Sequence, residues 1–146
     1  MRTLILYCSY TGHTHALAVK KATELGCDLE EVKDVRKLSW VAGIRKAPRR
    51  EKTDIYPIKS NLSRYDKIII MSPVWASHPV PAINNVLECL PEGKKVEFFM
   101  VSAGGGTKKS AEGTKELAVQ RGCEVVGYTD VVVKVKDGDV CVRNVR

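Results

Sequence analysis

Residues 67–71, Lys-Ile-Ile-Ile-Met, are apolar at four successive positions, and residues 3–7, Thr-Leu-Ile-Leu-Tyr, are nearly so. Successive side chains of a strand point to opposite faces of its sheet. A strand without polar alternation therefore needs cover on both faces, the condition of a parallel sheet layered between helices. Segments between the apolar runs have the pattern to supply those helices. Residues 13–25 predict one, with Ala18, Ala22 and Leu25 on one face and Lys20, Lys21 and Glu24 off it, stopped by Gly26. Residues 80–90 predict another, with Pro81 in its first turn. Residues 107–121 predict a third, ending at Gly122.

The remaining strands follow. Residues 28–35, Asp-Leu-Glu-Glu-Val-Lys-Asp-Val, are charged enough to suit a sheet edge. Residues 95–102 form a fourth strand, and 123–135 a fifth with room for a sixth. Between the second and third, Trp-Val-Ala-Gly-Ile-Arg-Lys-Ala carries a short helix limited by Pro48 and Pro57. The chain thus reads β-α-β-x-β-α-β-α-β, one α/β domain over residues 1–146.

Composition excludes several classes. No stretch approaches the roughly 18 apolar residues of a membrane span. The first apolar run is too short for a signal peptide, and a cytoplasmic protein is expected. Five scattered cysteines, Cys8, Cys27, Cys89, Cys123 and Cys141, argue against a disulfide framework and against a zinc site. His13 and His15, two apart at a loop-helix junction, are poorly placed to share a metal, and none is assigned. The net charge is +7, but residues 36–53 hold Arg36, Lys37, Arg45, Lys46, Arg49, Arg50 and Lys52 against Glu51 alone, +6 of the total. The rest is near neutral. That run is either a solvated surface or a docking patch, and it does not establish nucleic-acid binding.

In open α/β sheets a ligand lies beyond the carboxyl ends of the strands, where strand order reverses. Three loops meet there: 8–14, 72–79 and 102–107. The first, Ser9-Tyr10-Thr11-Gly12-His13-Thr14, puts three hydroxyls and a glycine at a helix start, where unpaired N–H groups and the helix dipole favour an anion. It lacks the lysine of a Walker A loop. Ser and Thr are also ordinary helix caps, but three at this spacing favour phosphate. Cys8 is not followed six residues on by the arginine of the low-molecular-weight phosphatases and arsenate reductases; Thr14 stands there. The second loop, stiffened by Pro73, Pro79 and Pro81, carries Trp75, either a lid on the core or a surface for stacking a planar ring. The third, Ser102-Ala103-Gly104-Gly105-Gly106-Thr107, offers exposed amides and close backbone approach.

A phosphate cradle, an indole and an amide loop describe a site for a phosphate-bearing planar ring. Here the chain resembles the flavodoxins. Ser9 to Thr14 match the family's Ser/Thr-x-Thr-Gly-x-Thr loop, and residues 65–88 resemble the strand, flavin-stacking loop and helix of flavodoxin-like proteins bearing Ser-Pro-Val-Trp. Residues 98–107 resemble the fourth strand and glycine loop.

The resemblance, over about residues 3–128, implies a three-layer sandwich around a five-stranded parallel sheet of order 2-1-3-4-5. It implies FMN as cofactor, held by Ser9, Tyr10, Thr11, Gly12, His13 and Thr14, by Pro73, Val74, Trp75, Ala76 and Ser77, and by Ser102, Ala103, Gly104, Gly105 and Gly106. No catalytic residue is assigned. The implied function is electron transfer to protein partners, acidic ones if segment 36–53 docks them. An FMN-dependent NAD(P)H or quinone reductase is the alternative, and a cofactor-free interaction module is disfavoured by the intact loop. The chain departs from electron-carrying flavodoxins in being basic and in having no aromatic in its third loop.

It departs again at its end. Thr-Asp-Val-Val-Val-Lys-Val-Lys-Asp-Gly-Asp-Val-Cys-Val-Arg-Asn-Val-Arg, residues 129–146, is rich in β-branched valine around an Asp137-Gly138 turn. A hairpin, 130–136 paired with 139–145, is expected in place of the closing helix. The sheet face near the first helix would then be undercovered. A homodimer packed through it, or a hairpin folded back over it, would close it.

Overall fold

The computed structural model describes residues 1–136 and 139–145. Strands β1 (Thr3–Tyr7), β2 (Asp28–Glu31), β3 (Lys67–Trp75), β4 (His78–Pro79), β5 (Lys95–Ser102), β6 (Glu124–Lys136) and β7 (Asp139–Val145) form one sheet of order β2-β1-β3-β5-β6-β7, with β4 paired to β3. Helices α1 (His13–Leu25), α2 (Trp40–Lys46), α3 (Pro81–Cys89) and α4 (Ala111–Gln120) connect them.

The parallel part, β2-β1-β3-β5-β6, has the expected order. The expectation of a five-stranded sheet is corrected: seven strands take part, because two antiparallel strands join. Residues 123–135 do not divide into two strands either. β6 runs unbroken, pairs with β5 as far as Ser102↔Val132, and then overhangs the carboxyl edge. β7 pairs along the edge of β6 opposite β5, from Asp130↔Val145 to Lys136↔Asp139. The predicted Asp137-Gly138 turn lies outside the described residues.

The apolar strands divide their side chains as a doubly covered sheet requires. Leu4, Leu6, Ile68, Ile70, Phe98 and Met100 enter the core under α3 and α4, with Ile83, Val86 and Ala118. Ile5, Tyr7, Ile69, Met71, Phe99 and Val101 enter the core under α1, with Ala18 and Ala22.

Val131 and Val133 of the hairpin join that second core. The face near α1 is therefore less bare than expected. Phe99 is 9% exposed, and the Lys21 ammonium lies 4.3 Å from its ring centroid. A strand pair carrying the sheet's twist leans over the face it borders. Val142 and Asn144 accordingly share a shallow groove with Leu17 and Lys20 of α1. Among the described residues no helix is long and apolar enough to cross a membrane.

Candidate ligand cleft at the carboxyl edge of the sheet

α1 starts immediately after Gly12, whose φ of 91° an L side chain would resist. No side chain caps the helix at Gly12 itself. Instead Ser9 Oγ, three residues back, accepts hydrogen bonds from the Gly12 and His15 amides, at 3.2 and 3.3 Å. An oxygen acceptor thus already sits among the amides of this helix end. The His15 ring is tied to the Tyr7 hydroxyl through Nδ1 at 2.6 Å. Thr14 is 3% exposed.

Cys8 is buried, and burial, with Asp34 and Glu31 nearby, pushes its thiol well up. That is the reverse of what a nucleophilic cysteine needs.

The second loop is a tight turn between β3 and β4. Ala76 and Ser77 have φ of 50° and 63°, positive at both central positions, as a type I′ hairpin turn requires. Neither residue is a usual choice there, so the turn holds local strain, which tends to collect at functional sites. It is secured from outside: Ser110 Oγ donates to the Ser77 carbonyl at 2.6 Å, and His78 Nδ1 to that of Ala76 at 2.9 Å.

Trp75 precedes this turn. Its indole lies directly over Gly43 of α2, where an added Cβ would be 2.0 Å from Cζ3. Tyr10 stacks on it, with centroids 4.8 Å apart and planes at 25°. The Tyr10 hydroxyl donates to Asp34 Oδ2 at 2.5 Å. Burial raises the Asp34 carboxyl and, with that bond, the Tyr10 phenol. Asp34 Oδ1 is buried with no hydrogen-bond partner among the described residues.

The third loop is anchored at its far end. Thr107 is fully buried. Its N–H and its hydroxyl both donate to Asp130 Oδ1, at 3.0 and 2.7 Å. Its hydroxyl is also bonded to that of Tyr128, whose phenol burial pushes up to about 12. Since Thr107 already donates its proton to Asp130, the Tyr128 hydroxyl is the donor to Thr107.

Between the loops lies a cleft of about 700 Å³, lined by Thr11, His13, Thr14, Pro73, Val74, Trp75, Val101, Ser102, Ala103, Val133, Lys134 and Val135. That volume suits a small-molecule ligand, typically roughly 300–1,000 Å³. All three predicted loops reach it, but not every predicted residue does. Ser9, Tyr10 and Gly12 are not among its lining residues: Ser9 organises the helix start, and Tyr10 stacks on Trp75. Ala76 and Ser77 form the turn beyond it. Gly104, Gly105 and Gly106 line a neighbouring cavity with Lys108, Lys115 and Tyr128.

Four lining residues were not foreseen: Val101 and, in β6, Val133, Lys134 and Val135. The signal for the last three was the position of the hairpin. β6 continues to Lys136 after its last pair with β5, Ser102↔Val132, and so carries residues 133–136 past the point where β5 ends.

The basic segment is only partly a free surface. Arg50 donates to Thr114 Oγ1 and to the Ser110 carbonyl, both at 2.9 Å, and its burial lowers the guanidinium pKa. It lies against Gly113, where an added Cβ would come 2.7 Å from its Nη2. Lys52 pairs with Glu88 at 2.6 Å. Asn84 and Asn85 of α3 donate to the Glu51 and Thr53 carbonyls. Among the described residues, Arg36, Lys37, Arg45 and Lys46 pair with no carboxylate.

No family model matches this chain, and no curated protein does. Solved structures do. The flavoprotein of Lactobacillus acidophilus, in complex with FMN, is 27% identical, with 88% of this chain and 92% of that chain covered at a TM-score of 0.74. A protein of Bacteroides eggerthii is 23% identical over 88% and 87% of the two chains, with a TM-score of 0.76. Oxidised flavodoxin 1 of Bacillus cereus is 19% identical over 95% and 89%, with a TM-score of 0.56. The chain has the flavodoxin-like α/β fold, and its structural neighbours are flavoproteins and flavodoxins.

Proposed function

We propose that this chain binds FMN in the cleft and transfers electrons to protein partners. One observation carries the reading: the amide-rich start of α1 and the Trp75 ring border the same cleft. The residues fit the cofactor. Thr11 and Thr14 with the amides of residues 11–15 would hold the phosphate at a helix start that Ser9 organises, Trp75 the ring, and Ser102 and Ala103 its polar edge. Neutral donors bind a phosphate dianion without setting a cation beside it. When bound, the flavin supplies the redox chemistry, and the protein orients and tunes it. Tyr10 now covers one face of Trp75, so a ring stacking on that face would displace it.

The protein is expected to bind FMN about tenfold or more tightly than riboflavin, since a hydrogen bond to a charged group contributes roughly 1.5–3 kcal/mol. Ser9→Ala or Thr14→Ala should each weaken FMN by about 1–2 kcal/mol. Quenching of flavin fluorescence measures both, and equal affinity for the two flavins would remove the phosphate site.

A reductase using NAD(P)H or a quinone is the second reading. It is favoured by Lys134, a cation in a cleft whose lining contains no carboxylate, because NAD(P)H is anionic. Rapid flavin bleaching on mixing with NADPH would select it; a flavin inert to NADPH leaves the carrier.

The partner surface is the outer side of α2 and its approach. Arg36, Lys37, Arg45 and Lys46 flank the exposed Trp40 and Val41 along the chain. Charge-steered encounter slows as salt rises. Oxidation of the reduced protein by anionic ferricyanide should therefore slow with salt, and slow further in the Arg45→Glu/Lys46→Glu variant. Rates indifferent to both would make the segment a solvated surface. Arg50 is excluded from this test because α4 holds it.

A second copy is proposed to pack on the groove between α1 and the hairpin, where Leu17 and Val142 meet. Sedimentation at micromolar concentration should report a dimer, and a monomer would leave the hairpin covering its own sheet.

A further inference from the structure

The overhang of β6 brings one permanent charge to the cleft. Val133 is held in the core beneath α1, which fixes the strand's rotation, and Lys134 is carried at the cleft wall between Val133 and Val135. Its cross-strand neighbour in β7 is Cys141, not an acid. Of the twelve lining residues, Lys134 is the only lysine or arginine, and neither aspartate nor glutamate is among them. The loops that would hold a phosphate contribute no lysine or arginine to the lining. The cation therefore comes from the hairpin, the part of the chain that stands where a closing helix was expected.

We infer that Lys134 is the potential-setting charge of the site, favouring the reduced over the oxidised state of the flavin bound there. The inference rests on the FMN reading. Uptake of two electrons and one proton leaves a bound flavin one unit more negative than its oxidised form. A cation in the same cleft attracts the more negative state more strongly. That preference is a ratio of two affinities and raises the reduction potential. It also opposes the effect of the electron-rich Trp75 ring. The hairpin thus supplies the lysine that the phosphate loop lacks.

The test is a comparison of flavin dissociation constants in the oxidised and dithionite-reduced states, together with the midpoint potential by dye equilibration. Wild type, Lys134→Gln, Lys134→Arg and Lys95→Gln are compared, each with FMN and with riboflavin. Lys95→Gln removes the same charge from the exposed amino end of β5, away from the cleft, and controls for net charge. Lys134→Gln is expected to weaken reduced flavin about three- to tenfold more than oxidised flavin and to lower the potential. Lys134→Arg should restore both, Lys95→Gln should change neither, and the differential should persist with riboflavin.

A ratio unchanged in Lys134→Gln overturns the inference while FMN binding stands. Equal weakening of both redox states, confined to FMN, also overturns it, because the lysine would then serve the phosphate. Failure of the wild type to bind either flavin overturns the FMN reading and this inference with it.

Discussion

Gly43→Ala is expected to destabilise the protein by about 1–3 kcal/mol and to abolish most of its flavin binding. The usual effect of this substitution inside a helix is the opposite, a gain of about 1 kcal/mol from alanine's propensity. Here the new methyl would lie 2.0 Å from Cζ3 and 2.1 Å from Cε3 of Trp75. The atoms in its way belong to a rigid indole, and the indole's face is already covered by Tyr10. Either α2 lifts away from the sheet or Trp75 leaves its position. The second moves a wall of the cleft and the first removes that wall's support, so the steric term outweighs the propensity term. Urea unfolding, near-ultraviolet circular dichroism and FMN titration read the three consequences. A Gly43→Ala protein that is more stable, with an unchanged tryptophan signal, would show that the ring is not held against α2.

Asp130→Ala is expected to cost about 2–4 kcal/mol and to loosen the glycine loop. The carboxylate accepts from both the backbone and the hydroxyl of fully buried Thr107. Its removal strands two donors away from water, and each such group costs about 1–3 kcal/mol. The Tyr128 hydroxyl, bonded to the same Thr107 oxygen, loses a polarised partner. Asp130→Asn keeps an acceptor oxygen and should cost less than half as much. Thermal unfolding of the two variants measures the difference, and amide exchange in residues 102–107 measures the loop. Equal stability of Asp130→Ala and wild type would mean that water replaces the carboxylate, and that the loop does not depend on this anchor.

The two variants separate what the sequence discloses from what it conceals. Ser9, Thr11 and Thr14 could be singled out because they lie within six residues of one another and follow directly on a strand. Trp75 could be noticed, but not its support, because Gly43 and Tyr10 come to it from 32 residues and 65 residues away in the chain. The Asp130–Thr107 anchor joins a strand residue to a helix-preceding loop, and neither end has a local signature. Arg50 read as one more cation in a basic run. Only its position against Gly113 and Ser110 makes it a strut between the segment and α4.

The amino-acid sequence alone determined the order of elements, the doubly covered parallel sheet and the terminal hairpin. Each follows from short-range facts: apolar runs without alternation, helical periodicity, β-branched valines around Asp-Gly. It could not determine the number of strands in the sheet. That depended on the outer edge of β6 and the far end of β3 each taking an antiparallel partner, and so on register between chain segments. Nor could it determine which loop residues face the cleft. Gly104 to Gly106 turn to the neighbouring cavity, while Lys134 arrives from a strand that carries no ligand motif. Local pattern fixes how each strand alternates; where its end stops beside its neighbour is set by long-range pairing and packing, and the cleft is built at those ends.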